Sequence, residues 1–140
     1  MRNKPTGTDL IILARKVLVE RLTAALPEDL RHDARLVARA MNIASREIEA
    51  GEWPLKRALE RLSEIMGKEV DSEIEFAESS PGALERVVGE LNRQLSERIR
   101  AGEFDSDSST KDQVRDHLLQ TSLDKLREDD PRYLESQGFA

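Results

Sequence analysis

The chain has no cysteine, which removes disulfides, thiolate metal ligands and a cysteine nucleophile from consideration. Aromatics are few: Trp53, Phe76, Phe104, Tyr133 and Phe139 are all there are, so any core must be aliphatic. Long apolar runs are also missing. Leu10 to Leu13 is the longest aliphatic stretch near the N-terminus, and Arg15 and Lys16 follow soon after. A secretory leader needs a longer apolar region with a small-residue cleavage site, and a bilayer span needs ~20 apolar residues. The expectation is a cytoplasmic protein without a membrane partner. The sequence contains no glycine-rich phosphate loop and no Gly-x-Ser-x-Gly elbow.

What the chain does have is charge and periodicity. Charged residues make up 36% and hydrophobic residues 38% of 140 positions, with a net charge of −6. That balance lies near the disordered border, but the apolar residues recur at helical spacing, which favours folding. The acidic balance argues against a general attraction to nucleic acid, and no aromatic is interleaved with the basic residues. The length fits one domain over residues 1–140, with flexible ends at 1–7 and 135–140.

The stripes predict an all-α fold, an antiparallel bundle of four to five helices, or two similar helical hairpins. Thr8 suits an N-cap for a first helix through Ile11, Ala14, Leu18, Leu22 and Ala25. Leu30, Ala34, Val37, Met41, Ala44 and Ile48 recur at 4-3-4-3-4 along a second helix from about Glu28 to Ala50. Leu36, Ala40 and Ile43 add a second apolar stripe, which suggests a central position. Pro54 opens a third helix and Gly67 closes it. Residues 68–80 carry Glu69, Asp71, Glu73, Glu75 and Glu78 against one lysine, and are expected to form a mobile acidic loop. Ser80 and Pro81 start a fourth helix ending at Gly102. Thr110 to Gln113 has the form of a capping box for a fifth.

Two helix ends look alike. Ser45 to Trp53 and Ser96 to Phe104 share Ser, Ile, Ala, Gly and Glu at five of nine matching places, each closing on an aromatic. Either the two ends frame a pseudo-symmetric site, or both are glycine C-caps with an aromatic packing back.

Candidate chemistry is sparse. His32 with Glu28 and Asp29, and His117 with Asp112 and Asp116, offer too few ligands for a closed metal site, and no metal or cofactor is expected. Asp105, Asp107 and Ser109 imitate the start of a calcium loop, but Thr110 and Asp116 occupy the places of its Gly and Glu. The most suggestive feature is a polar stripe on the second helix, Arg35, Arg39, Asn42, Arg46 and Glu49 at 4-3-4-3 spacing, which Arg31 extends. It is either a solvated helix face or a positive strip for phosphate or carboxylate.

Several blocks resemble a bacterial family of small all-helical proteins of unassigned function. They are Lys4-Pro5-Thr6-Gly7-Thr8-Asp9-Leu10-Ile11; Asn42-Ile43-Ala44-Ser45-Arg46-Glu47-Ile48; and Leu91-Asn92-Arg93-Gln94-Leu95 with Ile99-Arg100-Ala101-Gly102. The last comprises His117-Leu118, Leu123-Asp124-Lys125-Leu126 and Pro131-Arg132-Tyr133-Leu134. The resemblance implies genes beside acyl-CoA dehydrogenases and aminoglycoside-phosphotransferase-like kinases, hence a helper in acyl-CoA or hydroxy-acid catabolism. It singles out Asn42, Arg46, Glu47, Asn92, Arg100, His117 and Tyr133 as polar positions of the family pattern, but supplies no catalytic residue. Two functions are therefore open. One is a non-catalytic interaction protein docking on the kinase-like or dehydrogenase partner, with a homo-oligomer also open. The other is a small enzyme or binding module for an acyl-CoA or phosphorylated acid, using Arg35, Arg39 and Arg46.

Overall fold

The computed structural model describes residues 4–67, 82–106 and 109–139. Regular structure among these residues is all helical, as the stripes predict, and the expected acidic loop at 68–80 lies outside them. The chain divides into two compact units, Met1–Gly51 and Glu52–Ala140.

The first unit is a pair of helices. Helix α1 spans Gly7–Val17, and its N-cap is Thr6, not Thr8. Thr6 wins because Asp9 stands three residues on. The Thr6 hydroxyl accepts from the Asp9 amide, while the Asp9 carboxylate accepts from the Thr6 amide at 2.8 Å. The bond from the Thr6 amide, with a second from the Thr6 hydroxyl to the same carboxylate, holds the Asp9 carboxyl below its ordinary pKa. The α-helix does not continue to Pro27. A π-helical segment, Leu18–Leu22, and a 3-10 turn, Thr23–Ala25, follow it. Helix α2 spans Glu28–Ala50 and packs on α1. Arg31 reaches back from its first turn, Nε donating to the Leu26 carbonyl at 3.0 Å, so this guanidinium closes the connection. The buried side chains of α2 are all small: Ala34, Ala38 and Ser45. Leu10, Ile12, Leu13, Val19, Leu22, Leu30, Leu36, Val37 and Ile48 stay exposed.

The second unit holds a conventional core. Helix α3 spans Trp53–Met66, α4 Ala83–Arg100, α5 Ser109–Asp129 and α6 Pro131–Ser136. Helix α3 packs against both α4 and α5, and α6 against α5. The stripes Ala58, Leu59, Leu62, Ile65 and Leu84, Val88, Leu91, Leu95 meet there with Phe104 and Val114. Helix α6 is a short closing helix. Asp130 caps it, Pro131 fills its first position, and buried Leu134 anchors it.

The two similar helix ends part company in three dimensions. At α4, the Gly102 amide donates to the Ile99 carbonyl and the Glu103 amide to the Arg98 carbonyl, the paired bonds of a Schellman motif. Phe104 then folds into the core under the Arg98 guanidinium, 5.1 Å from its ring centre. At α2, Gly51 has φ 58° but ψ −142°, and the chain turns directly into α3. Trp53 is left exposed beneath Arg57. Only one end is therefore a cap with an aromatic packing back.

Gly102 has φ 76°, and a Cβ there would come within 2.9 Å of an Asp105 carboxylate oxygen. Gly102→Ala is expected to cost about 1–2 kcal/mol from the left-handed backbone alone, with the displaced Asp105 adding to it. Urea unfolding measures the loss. An unchanged midpoint would show that the cap tolerates a side chain.

Candidate functional site

The interior of the second unit is not wholly apolar. His117 on α5 is fully buried, and its Nε2 lies 3.0 Å from Oδ1 of Asn92 on α4. The Asn92 amide nitrogen donates to the Val88 carbonyl at 3.0 Å, which fixes the orientation of the amide. Oδ1 can only accept, so Nε2 of His117 carries the proton. Nδ1 of the neutral ring is then a lone pair facing inward. Burial holds the imidazole below its ordinary pKa, the Arg61 guanidinium adds to that, and Asp116 opposes it.

Arg61 arrives from α3, where it stands inside the apolar stripe of Ala58, Leu62 and Ile65. Its Nη2 lies 3.8 Å from Oδ2 of Asp124, both side chains being about 15% exposed. Oδ1 of Asp124 accepts from Arg127 at 2.6 Å. His117, Thr121 and Asp124 are spaced four and three residues apart, hence on one face of α5. Three helices thus bring Arg61, Asn92, His117, Thr121 and Asp124 together. Nε and Nη2 of Arg61, Nδ1 of His117 and Oγ1 of Thr121 are buried without a hydrogen-bond partner among the described residues.

The sequence-derived candidates are dispersed. Arg35, Arg39, Asn42 and Arg46 share a face of α2 in the first unit, with Arg35 and Arg39 exposed and Asn42 and Arg46 half-buried. Glu47 is exposed on the same helix. Asn92 and His117 are joined by the bond just described. Arg100 is exposed in the last turn of α4, and Tyr133 is half-exposed on α6. Sequence reading did not single out Arg61, Thr121 or Asp124 for the site. A signal existed: an arginine within an apolar stripe, and polar residues at helical spacing after a histidine.

A family model described as a domain of unknown function, DUF6285, matches residues 24–133. The chain belongs to this family. Helices α2 to α5 and the polar cluster fall within the matched span, whereas α1 and the resembling block Lys4–Ile11 precede it. No curated protein and no solved structure matches the chain. Among the described residues, no group of three or more His, Asp or Glu side chains is placed to hold a metal ion, and no helix is long and apolar enough to cross a membrane.

Proposed function

We propose that this DUF6285 member is a non-catalytic interaction protein that docks on a partner protein through the exposed surface of α2. The observation that carries this reading is the surface of the first unit. Its buried α2 side chains are small, while Leu30, Val37 and Ile48 of the same helix stand in solvent along one side of that buried face, Arg35 and Arg39 along the other, and Leu36 on the outer face between them. Exposed apolar side chains grouped along a helix face mark interaction surfaces. The charge is also divided. Residues 1–51 hold nine basic and seven acidic side chains, a net +2, while residues 52–140 hold thirteen and twenty-one, a net −8. The first unit thus suits an acidic partner surface in a way the second does not. Resemblance to a bacterial family encoded beside acyl-CoA dehydrogenases and kinase-like proteins supports one of those cytoplasmic enzymes as the partner.

The test is titration of the purified chain with the neighbouring gene products. Arg35→Glu with Arg39→Glu is expected to weaken the complex by about tenfold or more at low salt, with a smaller loss at high salt. Helicity should be unchanged, since both side chains are exposed. Equal binding by the variant would move the docking surface elsewhere. Turnover of an acyl-CoA or a phosphoryl donor by the chain alone would replace docking with catalysis.

A further inference from the structure

The docking surface leaves the polar interior of the second unit without a role. We infer that this cluster is a built hydration site, in which one ordered water links Arg61 of α3 to His117 and Thr121 of α5. The donor and acceptor count points to it. Nε and Nη2 of Arg61 are two N–H donors on one edge of the guanidinium; neither has a hydrogen-bond partner among the described residues, although Nη2 lies in ion-pair range of Asp124. Nδ1 of His117 is a bare acceptor, because Asn92 claims the proton on Nε2. The Thr121 hydroxyl serves as donor or acceptor. A water has two lone pairs and two protons. It accepts from Arg61 on one side and donates to His117 and Thr121 on the other, which is within the two to four bonds, about three on average, of buried waters.

The surrounding charges favour a neutral occupant over an anion. Asp124 faces Arg61 at 3.8 Å and compensates its charge. An anion would also meet the His117 lone pair, whose protonation burial and Arg61 both oppose. A direct Arg61–His117 bond is the competing arrangement, and Arg61 is instead aimed at Asp124. The water would tie α3 to α5, while the Asn92–His117 bond ties α4 to α5. Together the two links fix the register of all three helices through one imidazole.

Nitrogen-15 NMR of the histidine ring in the full chain, with a crystal structure grown in bromide, tests this. The expected crystal result is a water peak within hydrogen-bond distance of Arg61 and His117 Nδ1, with no anomalous bromide signal there. The expected NMR result is the Nε2–H form, with Nδ1 displaced toward the hydrogen-bonded range. Thr121→Val keeps the shape but removes a partner of the water, and should move the Nδ1 resonance. Thr121→Ser keeps the hydroxyl and should restore it. Bromide in the site would make it an anion site. A direct Arg61–His117 contact, or an Nδ1 resonance indifferent to Thr121→Val, would overturn the inference.

Discussion

Leu91→Ala is expected to destabilise the Glu52–Ala140 unit by about 2–5 kcal/mol, the range for truncating a buried leucine in a close-packed core. Leu91 is 2% exposed and stands on α4 between Val88 and Leu95 in the cluster that α3, α4 and Phe104 share. Few aromatics are available to collapse into the space, so the cavity should persist. Whole domains are commonly stable by only about 5–15 kcal/mol, so this one substitution consumes a large share. Leu36→Ala on α2 is the control. That side chain is half-exposed, and its removal should cost no more than about 0.5 kcal/mol. Urea unfolding of the two variants separates them, and equal losses would contradict the assignment of the core.

Lowering the pH from 7.5 to 5.5 is expected to destabilise the same unit through His117. The unfolded chain binds a proton at this residue near its ordinary value of about 6.5. The folded chain resists it, chiefly because the ring is buried, and further because Arg61 is close. The unfolded state therefore binds more protons in this window, and stability rises with pH. His117 contributes nothing adverse above the unfolded pKa. As pH falls below it, the penalty grows until the folded ring also titrates. The carboxylates of Asp9 and Glu103 are held below their ordinary range, so their loss comes at lower pH still. His117→Gln, a neutral replacement, should flatten the profile between pH 7.5 and 5.5 even if it lowers overall stability. A variant that tracks the wild-type slope would assign the effect to another group.

The helices were legible because burial leaves a 3.6-residue imprint. Leu84, Val88, Leu91 and Leu95 are spaced as a core stripe and are one. On α2 the same logic misleads about position. Leu30, Val37, Met41 and Ile48 read as the interior of a central helix, but Leu30, Val37 and Ile48 are exposed, and Ala34, Ala38 and Ser45 are buried instead. Periodicity records which side chains avoid water, whether or not the chain itself supplies the cover. The site was half legible. Asn92 and His117 stood out as polar types, but their bond joins residues 25 apart, and such pairing has no local signature. Arg61 was hidden for the opposite reason. Its long stem fits an apolar stripe, so nothing in the spacing marks the charge at its tip. Trp53 and Phe104 follow similar nonapeptides, yet only Phe104 is buried, because α3 begins at Trp53 itself.

The π-helical segment Leu18–Leu22 works as a phase adjuster in a screw thread. Its Thr23 amide bonds five residues back to the Leu18 carbonyl, so this turn holds one residue more than the turns of α1. That spare residue determines which meridian of α1 meets α2. Excising it would restore ordinary winding and rotate everything upstream by about 100°. Leu10 would then stand where half-buried Ile11 stands, and exposed Ala14 where half-buried Arg15 does. A shortened relative with a continuous α-helix here would present a different side of α1 to its partner helix, with its own composition otherwise untouched.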